Sequence, residues 1–113
     1  MKVEDKIKVL LVKPKCNPEV IEVKNNLYAL QSLVDGYIEL VEVLFPFYHI
    51  IVCNEEGKLE SLPPNRQIGR DIIVGAFFIT KVSNGEFISL GKKETEELSE
   101  LYSLDSTEFR AIL

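Results

Sequence analysis

Short segments in which apolar and polar residues alternate recur along this chain, and they constrain its fold more than any other feature of the sequence. A period of two in β-branched and aromatic residues is typical of strands. Proline, asparagine and glycine stand between the segments, where strands end and turns begin. The predicted strand segments are KIKVLLVK (6–13), EVIEVK (19–24), YIELVEVLF (37–45), FYHIIVCN (47–54), DIIVGAFFITKV (71–82) and FISL (87–90). The segment 71–82 is expected to be the longest and most buried strand, with Gly75 as a candidate bulge.

Two other segments repeat their apolar residues at helical spacing. In NNLYALQSLVDGY, Asn25 or Asn26 is the expected N-cap and Gly36 the expected stop. The second predicted helix covers residues 93–104 and is strongly charged. The apolar residues on the predicted buried faces are Leu27, Leu30, Leu33 and Val34 in the first helix, and Leu98, Leu101 and Tyr102 in the second.

Glycine-containing turns connect several of these segments. NEEG fits a type I turn in which Gly57 takes a positive φ, and SNGE fits a hairpin turn. The resulting order, ββαββ-loop-ββα, predicts one α+β domain over residues 1–113, with a mostly antiparallel sheet of about five to seven strands and two helices covering one face. Residues 1–5 are expected to be a flexible start, and residues 105–113 are a less distinctive tail.

Charge and hydropathy exclude several classes of function. The formal net charge is −5, whereas proteins that bind nucleic-acid backbones cluster Lys and Arg. The apolar runs are too short to span a membrane or to form a signal-peptide core, so a cytoplasmic location is expected. Cys16 and Cys53 lie far apart without a C-x-x-C pattern, and in a cytosolic protein they are predicted to be free thiols.

The sequence offers no catalytic set. His49, the single histidine, lies inside an apolar strand segment. It shares a strand face with Cys53, but four residues of strand separate them by about 13 Å, which is too far for one metal ion. Glycine-rich phosphate loops are absent from the sequence. We therefore expect no enzymatic activity, no metal and no cofactor.

The segment LPPNR (62–66) is the most unusual loop in the sequence. Two prolines stiffen it, so the guanidinium of Arg66 is expected to be presented from a rigid support, where it could bind a phosphate or carboxylate. The alternative is a plain crossover loop in which Arg66 pairs with Glu55 or Glu56. With nearby aromatic residues such a loop could form a nucleotide pocket. The predicted ligand-binding residues are Arg66, Asn65, Arg70, Tyr48, His49 and Phe77.

The second predicted helix offers a different candidate surface. Its glutamates are either a solvated face or an acidic strip that binds a partner or mimics DNA. They are Glu94, Glu96, Glu97 and Glu100.

Four segments in a fixed order, IKVLLVKP, YALQSLVDGYIELV, CNEEGKLESLPPNR and DIIVGAFFI, resemble the domain-of-unknown-function 3846 family, whose members are small proteins of phages, mobile elements and their bacterial hosts. The resemblance covers residues 6–90 and implies a non-enzymatic accessory protein of a mobile element. The expected function is counter-defence: the protein would sequester a small anionic nucleotide-type signal, as a homo-oligomer in the host cytoplasm. The alternatives are a protein–protein inhibitor of a host defence enzyme that acts through the acidic surface, or an interaction or assembly module without a ligand.

Overall fold

The computed structural model describes residues 5–113, which form strands in two sheets and two helices. The start predicted to be flexible lies, apart from Asp5, outside the described residues. The helices are α1 (Leu27–Val34) and α2 (Lys92–Leu101). The strands are β1 (Lys6–Val12), β2 (Glu19–Lys24), β3 (Ile38–Val43), β4 (His49–Asn54), β5 (Pro64–Ile68), β6 (Asp71–Val74), β7 (Phe77–Ser83), β8 (Glu86–Ile88) and β9 (Arg110–Ala111).

The larger sheet has the order β2-β1-β7-β4-β3, and β8 extends it by pairing with the end of β7. The smaller sheet has the order β6-β5-β9. All pairs of neighbouring strands in both sheets are antiparallel. The prediction of an α+β fold with a mostly antiparallel sheet and two helices is confirmed. The segment predicted as a loop contributes β5, and the C-terminal tail contributes β9.

Both faces of the larger sheet are buried, because alternate residues of its central strands point to opposite sides. On one side Ile7 and Val9 of β1 pack in a core cluster with Leu30 and Val34 of α1. The other side carries the second cluster, which joins β1, β4 and β7 to α2, Ile73 of β6 and Phe109. The expectation that the helices share one face is therefore wrong: each face has its own helix, and the smaller sheet covers part of the second face.

The segment predicted as one long strand is broken in two at Gly75. This residue has φ of +73°, and a Cβ at its position would lie 2.8 Å from Leu62 Cδ1. The chain turns there, so β6 joins the smaller sheet and β7 the larger one. The prediction of a single buried strand is therefore wrong. The apolar pattern continues through residue 75, but the backbone conformation of the glycine there ends the strand.

The helix ends and turns confirm part of the sequence reading. Asn26 is the N-cap of α1 and accepts a hydrogen bond from the Ala29 amide at 2.8 Å. The helix ends at Asp35, with φ of 57°, rather than at Gly36. Gly57 does not take the predicted positive φ, whereas the hairpin turn predicted at SNGE is present, with positive φ at Asn84 and Gly85. The α2 helix ends three residues before the predicted position, at Leu101.

Candidate interaction site

The residues predicted to form a ligand clamp are buried inside the protein. Asn65 and Arg66 belong to β5, and both have an exposed fraction of 0%. The Arg66 guanidinium donates from Nε and Nη2 to the carbonyl of Tyr102 at 3.0 and 2.8 Å, and from Nη2 to the carbonyl of Cys16 at 2.6 Å. Its Nη1 donates to Asn65 Oδ1 at 2.8 Å. The expectation that Arg66 is presented to a ligand is wrong, and so is the alternative of pairing with Glu55 or Glu56.

Asn65 completes this buried polar network. Its Nδ2 donates to the carbonyl of Val12 at 2.9 Å and to the carbonyl of Gly75 at 2.8 Å. Burial lowers the pKa of Arg66, because desolvation disfavours the charged form. The hydrogen bonds from the guanidinium offset that cost, since buried charges are tolerated only when their donors are satisfied. We call Asn65 and Arg66 with these acceptors the Arg66 network; it ties β5 to the end of β1, the break at Gly75 and the end of α2.

The other four predicted residues do not assemble around the corner. Arg70 is exposed in the turn between β5 and β6, and Phe77 lies fully buried in the second core cluster. His49 is buried at the start of β4, whereas Tyr48 beside it is exposed. Tyr48 and His49 both line one surface depression.

The cysteines are free thiols, as predicted. Cys16 is exposed in the loop after β1, and Cys53 is buried in β4. Burial raises the pKa of the Cys53 thiol to about 11. Among residues 5–113, no three His, Cys, Asp or Glu side chains are grouped closely enough to hold a metal ion.

The connection between β3 and β4 carries a cluster of exposed apolar side chains. Strand pairing ends at Val43 and His49, and the five residues between them protrude beyond the paired strands. We call residues 44–48, with the sequence LFPFY and a cis peptide bond before the proline, the aromatic tip. Its exposed fractions are 65% for Leu44, 79% for Phe45, 36% for Phe47 and 57% for Tyr48.

Sequence reasoning named Tyr48 but missed the rest of the tip, because Phe45 and Phe47 were assigned to the ends of two strands. A signal was available. Three aromatic residues lie within four positions around Pro46, and proline cannot donate to a strand ladder. That segment is too apolar for an ordinary solvated turn.

Three surface depressions adjoin the aromatic tip. The first, of about 360 Å³, lies between Phe47, Tyr48, the β7–β8 hairpin and α2. The second, of about 470 Å³, lies between Leu44, Phe45, the smaller sheet and Phe109. The third, of about 540 Å³, lies between Phe47 and the segment from α2 to residue 108.

The charge in these depressions is predominantly negative. Within residues 5–113, Lys81 is the one Lys or Arg that lines them, and its Nζ is 2.9 Å from Glu94 Oε1. The carboxylates that line them are Glu42, Asp71, Glu94, Glu97, Glu100, Asp105 and Glu108. We call the exposed members from α2 onward, Glu97, Glu100, Asp105 and Glu108, the acidic surface.

His49 connects the tip to the Arg66 network. Its Nδ1 is 2.9 Å from the carbonyl of Phe47, and its Nε2 is 2.6 Å from the hydroxyl of Tyr102. A carbonyl can only accept, so Nδ1 carries the proton and, in the neutral ring, Nε2 accepts from the tyrosine. Burial lowers the pKa of His49, which favours this neutral form, and burial raises the pKa of Tyr102, which keeps its hydroxyl protonated.

Searches for similar curated proteins and for similar solved structures give no match for this chain. In residues 5–113, no helix has the length and apolar character needed to cross a membrane. A family model described as domain of unknown function, DUF3846, matches residues 7–103. This match covers both helices and, apart from Lys6 at the start of β1, every strand except β9, and the chain therefore belongs to the DUF3846 family.

Proposed function

We propose that this protein is a non-catalytic interaction module that binds a partner protein through the aromatic tip and the acidic surface. The observation that carries the proposal is the exposure of four large apolar side chains within five consecutive residues. Apolar side chains that cluster on a surface and are bordered by polar groups are typical of protein interaction sites. Aromatic residues in such positions supply a large share of binding energy.

The carboxylates beside the tip define the chemistry of the partner. An interface that excludes water favours opposite charges at its rim, so the complementary surface is an apolar cleft bordered by Lys and Arg. A second copy of this chain bound through the same face would bring the same carboxylates into the interface, and like charges would oppose it. The homo-oligomer expected from the sequence stays a prediction and requires another face, such as the sheet edge formed by β2.

This binding mode supports the role of a protein–protein inhibitor, which the sequence offers as an alternative to nucleotide sequestration. Enzymes that act on nucleic acids carry basic grooves, and an acidic protein with an apolar anchor could occupy such a groove. In a phage or mobile element, the protein would act stoichiometrically in the host cytoplasm, against a host defence enzyme.

Sequestration of a small anionic nucleotide has weaker support. Arg66 and Asn65 donate to internal acceptors, and both have an exposed fraction of 0%. The depression that contains Tyr48 and His49 has two glutamates and a lysine that is already paired. An anion there would meet net negative charge.

The experiment that tests the proposal is photo-crosslinking followed by binding measurements with purified proteins. A photoreactive amino acid at position 45 is expected to crosslink a basic partner in the host, whereas the same amino acid at Leu59, which is 85% exposed in the turn after β4, is not. With the purified partner, Leu44→Ser should weaken binding by about 10- to 30-fold, since it removes an anchor side chain.

Leu59→Ser is the matched control, because it makes the same change at an exposed leucine that lines none of the three depressions beside the tip. Binding to the partner should be unchanged in this variant. Equal losses in Leu44→Ser and Leu59→Ser, or equal crosslinking from both positions, would contradict the proposal. Tight binding of a nucleotide to the isolated protein, with no partner captured at position 45, would favour the sequestration hypothesis instead.

A further inference from the structure

We propose that the first depression, between the aromatic tip and α2, binds an arginine side chain of the partner. The inference rests on the proposed function, because the arginine belongs to the protein that docks on the tip. It adds a specific subsite and a specific ligand chemistry: a guanidinium on an apolar stem.

The depression is large enough to admit a single long side chain. Its volume of about 360 Å³ is near the lower end of the range for small-molecule sites. Its apolar floor includes Leu98 of α2 and Leu90, which lies just before that helix; both belong to the second core cluster. Such a floor suits the methylene stem of a long cationic side chain, which packs on apolar surface while its charged end stays at the rim.

The rim places an aromatic ring and a carboxylate beside one opening. Phe47 lines the depression from the tip and Glu97 lines it from α2, whereas the Tyr48 side chain interacts with Glu42, which lines the second depression. Cations bind over the faces of aromatic rings and also pair with carboxylates, so Phe47 and Glu97 favour a cation at the opening.

Glu97 is the carboxylate best placed to receive that cation. Glu94, the other carboxylate of the depression, already accepts from Lys81 at 2.9 Å and from the Gly91 amide at 2.8 Å. Glu97 meets Lys93 at 3.9 Å, the long limit of an ion pair, and that lysine side chain is 89% exposed. An exposed pair at this distance contributes little, so a desolvated guanidinium can replace it.

Arginine fits this set better than lysine does. Its planar guanidinium stacks on aromatic rings and bonds a carboxylate with two donors, whereas an ammonium is a strongly hydrated point charge. An anionic ligand would be repelled by the glutamates, and a neutral apolar ligand would desolvate the Glu97 carboxylate while leaving it only the long contact with Lys93.

The test is an NMR titration of the isolated protein with N-acetyl-arginine methylamide, using the corresponding citrulline compound as the neutral isostere. The arginine compound should shift the backbone amides of residues around the depression, in β7, β8 and the middle of α2. The citrulline compound should cause no saturable shift there. Lysine in the same form should bind more weakly than arginine.

Glu97→Gln should weaken binding of the arginine compound by about tenfold or more, because it removes the charge that the guanidinium pairs with. Glu96→Gln is the matched control: it is one position away on α2, is exposed and does not line the depression. Equal binding of the arginine and citrulline compounds, equal effects of the two variants, or shifts confined to another surface would overturn the inference.

Failure of this inference is distinguishable from failure of the proposed function. If Leu44→Ser abolishes partner binding but the arginine compound does not bind, the interaction module stands and the arginine subsite is wrong. If the arginine compound binds at the depression but the tip variants keep full partner binding, the partner does not dock on the tip. The inference that an arginine of a partner docked there occupies the depression then fails as well.

Discussion

The Arg66 network and the aromatic tip distribute charge and apolar surface in opposite ways. Arg66 has an exposed fraction of 0%, whereas Phe45 has an exposed fraction of 79%. The usual arrangement in a folded protein would expose the arginine and bury the phenylalanine. Buried charge and exposed clustered aromatics are the informative exceptions, and here they have different explanations.

The two regions differ in whether their side chains are satisfied by other parts of the protein, through hydrogen bonds in one case and through packing in the other. The Arg66 guanidinium bonds two backbone carbonyls and the Asn65 amide oxygen, and within residues 5–113 no buried side-chain nitrogen or oxygen lacks a hydrogen bond. Leu44 and Phe45 of the tip lack such cover, since they lie beyond the last pair of β3 and β4 and are 65% and 79% exposed, whereas the Phe47 ring lies 5.5 Å from that of His49. A satisfied buried charge points to a structural role, and an uncovered apolar cluster points to recognition.

The largest effect on stability is expected from Arg66→Ala. This change removes the donors to the carbonyls of Tyr102 and Cys16 and to Asn65 Oδ1, and it leaves a cavity where the side chain was. Leaving buried acceptors without donors costs about 1–3 kcal/mol each, so we expect the free energy of unfolding to fall by at least about 3 kcal/mol. Urea unfolding measures it.

Arg70→Ala is the control for this prediction, because Arg70 is an arginine in the turn that follows the same strand and is exposed. Its substitution should change the free energy of unfolding by no more than about 0.5 kcal/mol. The free energy of unfolding of Arg66→Lys should lie between those of Arg66→Ala and Arg70→Ala, since an ammonium cannot reach all three acceptors. Equal stabilities of Arg66→Ala and Arg70→Ala would remove the distinction between the two regions.

A smaller loss of folding stability is expected from acidification, because it protonates the single histidine, which lies between the two regions. Burial lowers the pKa of His49 below the ordinary value of 6.5. The unfolded chain therefore binds a proton at a higher pH than the folded protein does, and stability falls as the pH decreases from 6.5 to the pKa of the folded state. Protonation also ends the acceptor role of Nε2 toward Tyr102.

Urea unfolding at several pH values between about 7.5 and 5, above the range in which most carboxylates titrate, measures this loss. His49→Gln should flatten the dependence, because an amide does not titrate in this range. An unchanged pH dependence in His49→Gln would show that another group is responsible.

The sequence predicted the fold class, both helices and most strand segments, though not β5 or β9, because these depend on periodicity, which is a local property. It did not predict the break at Gly75, since the apolar residues on both sides continue without a change in pattern. At the break, Gly75 has a positive φ, and the Leu62 side chain occupies the space that a Cβ at residue 75 would need. Such a contact between residues distant in sequence leaves no local signal.

The candidate site was harder to predict for a related reason. The charge of Arg66 suggested a ligand, but its partners are backbone carbonyls from residues 16 and 102, which no sequence pattern identifies. The acidic helix as a candidate partner-binding surface stays a prediction. Its proximity to Phe47 follows only from the packing of α2 against the larger sheet.

The smallest effect on stability is expected from the tip itself, and it sharpens the comparison most. Phe45→Ala should change the free energy of unfolding by less than about 0.5 kcal/mol, because a side chain that is 79% exposed loses little burial. The same substitution at Phe77, which has an exposed fraction of 0%, should cost about 3–5 kcal/mol. Urea unfolding of both variants measures the difference.

A large loss in Phe45→Ala would mean that the tip stabilises the fold, and its exposure would then no longer argue for binding. A negligible loss leaves recognition as the reason for keeping an aromatic ring in water.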